Sequence, residues 1–153
     1  MIIRKANIDD ITKISNLYCE LIETMSKLQP YFLKESRQDE IFIKSMIEND
    51  DSEIFISCEN DEIIGFSLVQ EQETPPYNMI EYHKLGYIFD IIVSSDYKSN
   101  GIGKKLINEC KNWCKERNLE YVQLSVLDNN ESAIKFYESQ NFKKQMITMY
   151  SRL

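Results

Sequence analysis

The apolar run "YIFDIIV" (Tyr87 to Val93) leads directly into "SDYKSNGIGKKL" (Ser95 to Leu106), and two of the chain's four glycines, Gly101 and Gly103, fall in that second stretch. A loop that leaves a strand and opens a helix directs several unpaired backbone N–H groups at one point, where the helix dipole adds partial positive charge. An anion fits such a point. Glycine removes the side chains that would block its approach and permits positive φ. Lys98, Lys104 and Lys105 add charge around the same mouth. The competing reading is that Asn100-Gly101 is only a turn and that Gly103 is small for helix packing.

The remaining elements set this unit in a mixed sheet. "MIIRKA" reads as a short strand, and Asn7 with Asp10 resembles a capping box at a helix start. Ile8, Ile11, Ile14, Leu17, Tyr18, Leu21, Ile22 and Met25 then recur at helical spacing. After Pro30 a shorter helix is predicted over Gln38 to Glu48, with Ile41, Phe42, Ser45 and Met46 on one side. "EIFISCE" and "IIGFSLVQE" form a predicted hairpin about "NDE". The turn-rich "QETPPYNMIEYHK" reads as a loop or long hairpin tip before the strand "LGYIFDIIV". The next helix carries Ile102, Leu106, Ile107, Cys110, Trp113 and Cys114 on one stripe, followed by the strand "YVQLSV", a helix over Glu131 to Gln140 and a last strand around "MITMYS". Hairpins early and a strand–helix–strand unit late predict an α/β fold with a mixed, mostly antiparallel sheet and about four flanking helices.

Composition limits what such a fold does. With 153 residues, 42% of them hydrophobic, the chain is expected to form one domain, 1-153, around one ordinary core. A net charge of -7 argues against holding nucleic acid by phosphate neutralisation, while leaving room for a small anion at a local cluster of amides. No apolar run approaches the ~20 residues needed to span a bilayer, and "MIIRKANIDD" lacks a signal-peptide pattern, so neither membrane nor export is expected and the location is read as cytoplasmic. Cys19, Cys58, Cys110 and Cys114 lack zinc-ligand spacing and read as reduced, packed thiols; no metal is expected.

Three phosphate-binding patterns compete for the glycine loop. G-x-x-x-x-G-K-S/T is absent. G-x-G-x-x-G fails at Leu106, and Glu120, where an acid is wanted, precedes its strand instead of ending it. Lys98-Ser99-Asn100-Gly101-Ile102-Gly103 instead resembles the Q/R-x-x-G-x-G/A signature of the GNAT superfamily of acetyl-CoA-dependent N-acyltransferases. Downstream, "NESAIKFYESQNF" (Asn130 to Phe142) resembles that family's N-x-x-A-x-x-x-Y-E-x-x-G-F segment, with Asn130, Ala133, Tyr137, Glu138 and Phe142 in register. The order of elements over nearly the whole chain is similar too, the family having seven or so strands and four helices. Two departures stand out: Lys98 replaces Gln or Arg, and Asn141 stands at the glycine, where Asn is the next-best residue for a left-handed position.

The resemblance implies an N-acetyltransferase that carries an acetyl group from acetyl-CoA to a primary amine by direct attack. It implies that amides from Ser99 to Lys104, with Lys98, Asn100, Gly101, Ile102 and Gly103 in the loop, hold the pyrophosphate. The strand segment Ile91, Ile92 and Val93, through the free backbone groups of Ile91 and Val93, together with Asn130 and Ala133, is implied to hold the pantetheine arm. Tyr137 is the implied acid for the departing thiolate, and the N–H near Ile91 the implied oxyanion donor.

The base rests on the residues themselves. Asp90 interrupts an apolar strand, where a carboxyl has its pKa raised toward a useful range; a structural pair with a lysine is the alternative. Glu71, Glu73, Tyr82 and His83 are expected near the acceptor cleft, and with Glu81 they favour a cationic acceptor, either a small-molecule amine or a protein lysine or N-terminus. A homodimer is allowed by this reading. A non-catalytic acyl-CoA sensor of the same fold is the other function it leaves open.

Overall fold

A computed structural model describes residues 1–153. Its five strands run β1 (Ile2–Lys5), β2 (Ser52–Glu59), β3 (Glu62–Glu73), β4 (Lys84–Val93) and β5 (Tyr121–Leu124), in that spatial order. The first three pairings are antiparallel and β4 pairs β5 in parallel. The connection between β4 and β5 must cross over, and α3 (Ile102–Glu116) is that crossover. Helices α1 (Ile11–Leu28), α2 (Glu40–Glu48) and α4 (Glu131–Ser139) complete the α/β fold. No helix is long and apolar enough to cross a membrane.

Local chemistry accounts for most element boundaries. Asn60 and Asp61 both take positive φ between β2 and β3, which suits a tight two-residue turn whose twist matches the strands. Asn7 accepts a hydrogen bond from the Asp9 N–H, and Asp10 accepts one from the Asn7 N–H at 2.8 Å, forming the expected capping box before α1. Asn141 has φ of 68° and ends α4 in the left-handed region, as expected for a glycine substitute.

Two apolar layers hold the sheet. On one face Ile14, Leu17 and Tyr18 of α1 and Ile43 and Met46 of α2 pack on Ile54, Ile56, Phe66, Leu68 and Ile92. On the other, the α3 stripe of Ile102, Leu106, Cys110, Trp113 and Cys114 packs on Phe55, Ile64, Val69 and Ile88. All four cysteines are free thiols.

Three expectations are corrected. In α2 the buried positions are Ile43 and Met46, flanked by Phe42 and Ile47, whereas Ile41 is 76% exposed and Ser45 faces solvent. Consecutive apolar residues permit either stripe; the chosen one exchanges polar Ser45 for Ile47 and so removes more apolar surface from water. The helix begins at Glu40, not Gln38, because Asp39 caps it through the Ile41 N–H. The segment "MITMYS" forms no strand, which leaves five of the six strands read from the residues. Side chains anchor this tail instead: Gln123 donates to Gln145, Tyr150 meets Phe32 edge-on at 4.7 Å, and Arg152 lies 4.1 Å over the Tyr31 ring.

The α1 start also carries the chain's buried carboxylate pair. Arg4 donates to both oxygens of Asp10 at 2.7 and 2.9 Å, and this guanidinium holds the carboxyl below its ordinary range against the opposing effect of burial. Asp10→Ala removes the carboxylate half of the capping box that precedes α1 and leaves Arg4 without its partner, so stability at pH 7 should fall by about 1–2 kcal/mol in urea denaturation. A depressed carboxyl stabilises the fold above its unfolded pKa of about 3.9 and loses that effect as pH falls through the folded value. The gap between parent and variant must therefore narrow in acid. A gap independent of pH would exclude this assignment.

Candidate active site

One inserted residue builds the centre of the site. The β3–β4 register runs Leu68 opposite Asp90 and then Val69 opposite Ile88, so Phe89 is an extra residue in β4. Alternation would place Ile88, Asp90 and Ile92 on one face. The bulge breaks that parity: Ile88 enters the α3-side core and Ile92 the α1-side core. Asp90 is carried to the α1 side, where the Tyr18 hydroxyl donates to its Oδ2 at 2.6 Å.

The same region of β4 has an open edge. β5 pairs only with Leu85 to Ile88, so from Phe89 to Val93 the strand has no partner on that side. Ile91, Ile92 and Val93 lie along this stretch, and Val93 and Ile91 pack partly against the α3-side core while Ile92 is buried. Unpaired N–H and C=O groups on such an edge are ready to bond an extended ligand as a further strand would.

Asp90 and Tyr137 share one electrostatic neighbourhood. Burial raises the Asp90 carboxyl above the usual carboxylate range, and the Tyr18 hydrogen bond offsets part of that rise. No lysine forms the alternative pair; the partner is a neutral phenol. Burial, assisted by the Asp90 charge, pushes the Tyr137 phenol up to about 12. It therefore keeps its proton at neutral pH and can donate it. Its ring sits between Phe136 and Phe142, with centroids at 5.5 and 5.8 Å.

The glycine loop joins β4 to α3. Ser95–Tyr97 is a 3-10 turn whose first amide, Ser95 N–H, donates to Glu20 of α1 at 2.8 Å. Ser99 and Gly101 both have positive φ, 69° and 74°, and no side chain caps α3. The first helical amide with a backbone partner is Lys105, bonded to the Gly101 carbonyl, which leaves the N–H groups of Ile102, Gly103 and Lys104 unpaired. Lys98, Asn100 and Lys104 are exposed around this turn. Lys105 instead lines a shallow groove with Met1 and Ile3.

The two glycines have different reasons to be there. A Cβ on Gly101 would meet open space, so its requirement is conformational. A Cβ on Gly103 would stand 3.0 Å from Cζ of Phe136. Gly103 therefore meets a packing requirement, the room that the Phe136 ring of α4 takes beside α3. Asn130 is similarly engaged: its Oδ1 accepts from Ala133 N–H and Ser132 Oγ at 3.3 Å, capping α4, while its amide nitrogen makes no bond within the chain.

The loop acids do not join Asp90. Glu71 accepts from Arg117 at 2.8 Å and lies 3.7 Å from Lys84. Tyr82 lies beside Glu73, and His83 Nδ1 is 3.0 Å from Glu120. Lys84, where this group is centred, is six residues before Asp90, roughly 20 Å along an extended strand. Glu81 adds only its carbonyl, as acceptor for the Thr74 hydroxyl. Tyr18, Glu20 and Phe136 are the site residues that periodicity hid. Tyr18 belongs to the apolar stripe of α1, and its one distinguishing mark in the sequence is a polar tip on an otherwise aliphatic face.

A family model described as "Acetyltransferase (GNAT) family" matches residues 16–142. An uncharacterized N-acetyltransferase of Archaeoglobus fulgidus is 26% identical over 144 residues, covering 94% of this chain and 94% of that one. In architecture the chain is similar to a mutant of the BH1408 protein from Bacillus halodurans, with a TM-score of 0.95, 22% identity and coverage of 100% and 99%. It is also similar to the aminoglycoside N-acetyltransferase AAC(6')-Iy in complex with CoA, with a TM-score of 0.78, 15% identity and coverage of 99% and 98%. At these identities the two structures establish a shared fold.

The contact between Gly103 and Phe136 can be tested directly. Gly103→Val drives two methyl groups toward the Phe136 ring and should destabilise the protein by about 1–3 kcal/mol in chemical denaturation. Adding Phe136→Ala relieves the clash, so the double variant should lose less than the sum of the two single losses. Strict additivity would mean that α4 packing does not set the residue at 103.

Proposed function

The chain belongs to the acetyltransferase (GNAT) family, and from that premise we propose that it transfers an acetyl group from acetyl-CoA to a primary amine by direct attack within a ternary complex. The observation that carries this reading is the pairing of a proton-retaining Tyr137 with a carboxyl at Asp90 beside an unpaired strand edge. A sensor that only binds acyl-CoA has no use for two titratable groups driven away from their ordinary ranges.

The residues present suit acetyl-CoA. Unpaired amides at Ile102, Gly103 and Lys104, with Ser99 and Gly101 in the left-handed region, suit its pyrophosphate. The edge of β4 at Ile91 and Val93 suits the amides of its pantetheine arm, with the free Asn130 amide nitrogen as a further donor. When bound, acetyl-CoA supplies a thioester carbonyl open to attack and a thiolate that can leave.

Asp90 takes the proton that the attacking amine must lose as its nitrogen bonds the carbonyl carbon. The Ile91 N–H stabilises the negative charge that builds on the carbonyl oxygen. Tyr137 gives its proton to the sulfur as the carbon–sulfur bond breaks. The Tyr137 phenol, pushed up to about 12, holds the proton that its role requires. The acceptor is a primary amine on a small molecule or a protein; ion pairing of Glu71 with Arg117 removes one of the acids that had favoured a polycation.

Acetyl-CoA must bind the native state and stabilise it by mass action. At a hundredfold excess over Kd, a gain of about 2.7 kcal/mol raises the melting temperature by roughly 5 to 11 °C. NAD at the same concentration should leave it unmoved; the reverse pattern would sink the reading.

Turnover tests the acid. In an amine screen that follows release of free CoA, Tyr137→Phe keeps the ring packing and should lower kcat by about 10² or more, with little change in acetyl-CoA affinity. Unchanged turnover would remove Tyr137 from the mechanism.

A further inference from the structure

Tyr18 lies outside every motif that identifies the family, yet it is the one side chain that bonds Asp90. Its ring is 2% exposed and packs on Phe66 at a centroid distance of 4.7 Å, so its position is set by the core and not by the carboxyl. Gln38, from the segment between α1 and α2, lies beside the same hydroxyl. We infer that Tyr18 is a positioning residue for acetyl transfer, holding Oδ2 of Asp90 so that Oδ1 alone meets the acceptor, which enters as a primary ammonium. This inference rests on the acetyl-transfer reading.

Three observations carry it. First, the bond is used up on one oxygen: Oδ1 of Asp90 makes no hydrogen bond within the chain. Second, no cation of the protein faces this carboxyl. The titratable groups around it are Tyr18 from α1 and Tyr137 from α4, while Leu68 across on β3 is apolar. An ionised carboxyl in an apolar setting without a cation is costly, and a fold-building role would be served as well by an amide. An acceptor that arrives as an ammonium supplies the missing charge, and its first proton leaves through Asp90 to bulk water. The second, lost as the neutral amine bonds the carbonyl carbon, goes to the regenerated carboxylate while Tyr137 protonates the departing sulfur. Third, Tyr18 is an obligate donor. Burial and the adjacent carboxyl both raise its phenol, so it never competes for the amine's proton.

The physical effect of the bond has a definite sign. A donor to the ionised form lowers a carboxyl pKa, so Tyr18 offsets part of the rise that burial imposes on Asp90. Removing the hydroxyl should raise the Asp90 pKa. The acidic limb of the pH–rate profile should then move upward with it.

The decisive experiment uses the full chain carrying aspartate labelled with 13C at Cγ, the Asp90 signal being the one lost in Asp90→Asn. Tyr18→Phe should move the Asp90 titration midpoint up by about one pH unit or more. With acetyl-CoA and ethanolamine, putrescine and lysine methyl ester as probe amines, the acidic limb of kcat/KM should rise by the same amount. The loss caused by Tyr18→Phe should vanish in the Asp90→Asn background, since the hydroxyl acts only through that carboxyl. If Tyr18→Phe fails to fold, site-specific 3-fluorotyrosine at position 18, a stronger donor of nearly equal size, must move the midpoint down. An unmoved midpoint overturns the assignment whether or not any amine is acetylated. A moved midpoint with an unmoved kinetic limb makes Tyr18 merely structural and overturns its positioning role. Failure of all three amines to release CoA, with the midpoint shifted as expected, overturns the acetyl-transfer reading and the ammonium assignment built on it.

Discussion

The extra residue in β4 decides what the site contains. Ile88 and Ile92 are four residues apart and yet belong to opposite cores, which an uninterrupted strand cannot achieve. Without Phe89 out of register, Asp90 would follow Ile88 toward α3, into a layer made of Ile102, Leu106 and Cys110. There it would face an apolar layer whose polar groups, the Cys110 thiol and the Ser67 hydroxyl, already bond each other. With the bulge it meets Tyr18, and the strand bends at the point where β5 stops pairing. The carboxyl and the open edge are thus two consequences of one local irregularity, which is why they occur side by side.

Helix α1 is the frame against which the rest of the site is aligned. Its start is fixed by Asp10 and Arg4 to the edge strand β1. From there Tyr18 reaches Asp90 in β4, and Glu20, on the adjoining turn, accepts from Ser95 at the start of the glycine loop. At its end the Leu28 carbonyl accepts from Asn129 and Gln29 donates to Asp128, which ties down the loop before α4. One rigid element therefore sets the distance between the carboxyl, the anion-facing loop and the helix that carries Tyr137. A chain of net charge -7 can still receive an anion here, because the loop offers oriented, unpaired backbone amides close at hand.

Patterns that depend on neighbours in sequence were legible before any coordinates. The α3 stripe, the capping box at Asn7 and Asp10, the turn at Asn60 and the left-handed Asn141 all follow from local rules. The sequence also names Asp90 and Tyr137 as chemical candidates, the first by its incongruity in an apolar strand. What it hides depends on registration between distant segments. The bulge leaves no residue signature, since Phe89 is as good a strand residue as its neighbours. Gly103 looks like clearance for a ligand until Phe136, 33 positions later, is found against it. Glu71, Glu73 and His83 cluster in sequence but are distributed among Arg117, Tyr82 and Glu120, partners that only the fold brings near. The tail residues read as a strand because they are apolar and β-prone, but a strand also needs a ladder, and here Phe32 and Tyr31 hold the tail by its side chains.

Two carboxyls in this chain, the buried Asp10 and the half-buried Asp90, act on stability in opposite directions. Asp10, paired with Arg4, has a folded pKa below its unfolded value, so its contribution is present above the unfolded pKa and disappears in acid. Asp90 has a folded pKa above its unfolded value because burial outweighs the Tyr18 bond. The folded state then binds its proton more tightly than the unfolded chain does, and stability falls as pH rises from the unfolded value through the folded one. Above its folded pKa the fold therefore carries an ionised Asp90 as a net penalty, with Tyr18 limiting its size. A replacement that packed as well without ionising would relieve that penalty, so selection for stability alone gives no reason to place a carboxyl there. On the proposed reading, that reason is what the carboxyl does when an amine arrives, at the junction of a bulge, an open strand edge and a proton-retaining tyrosine.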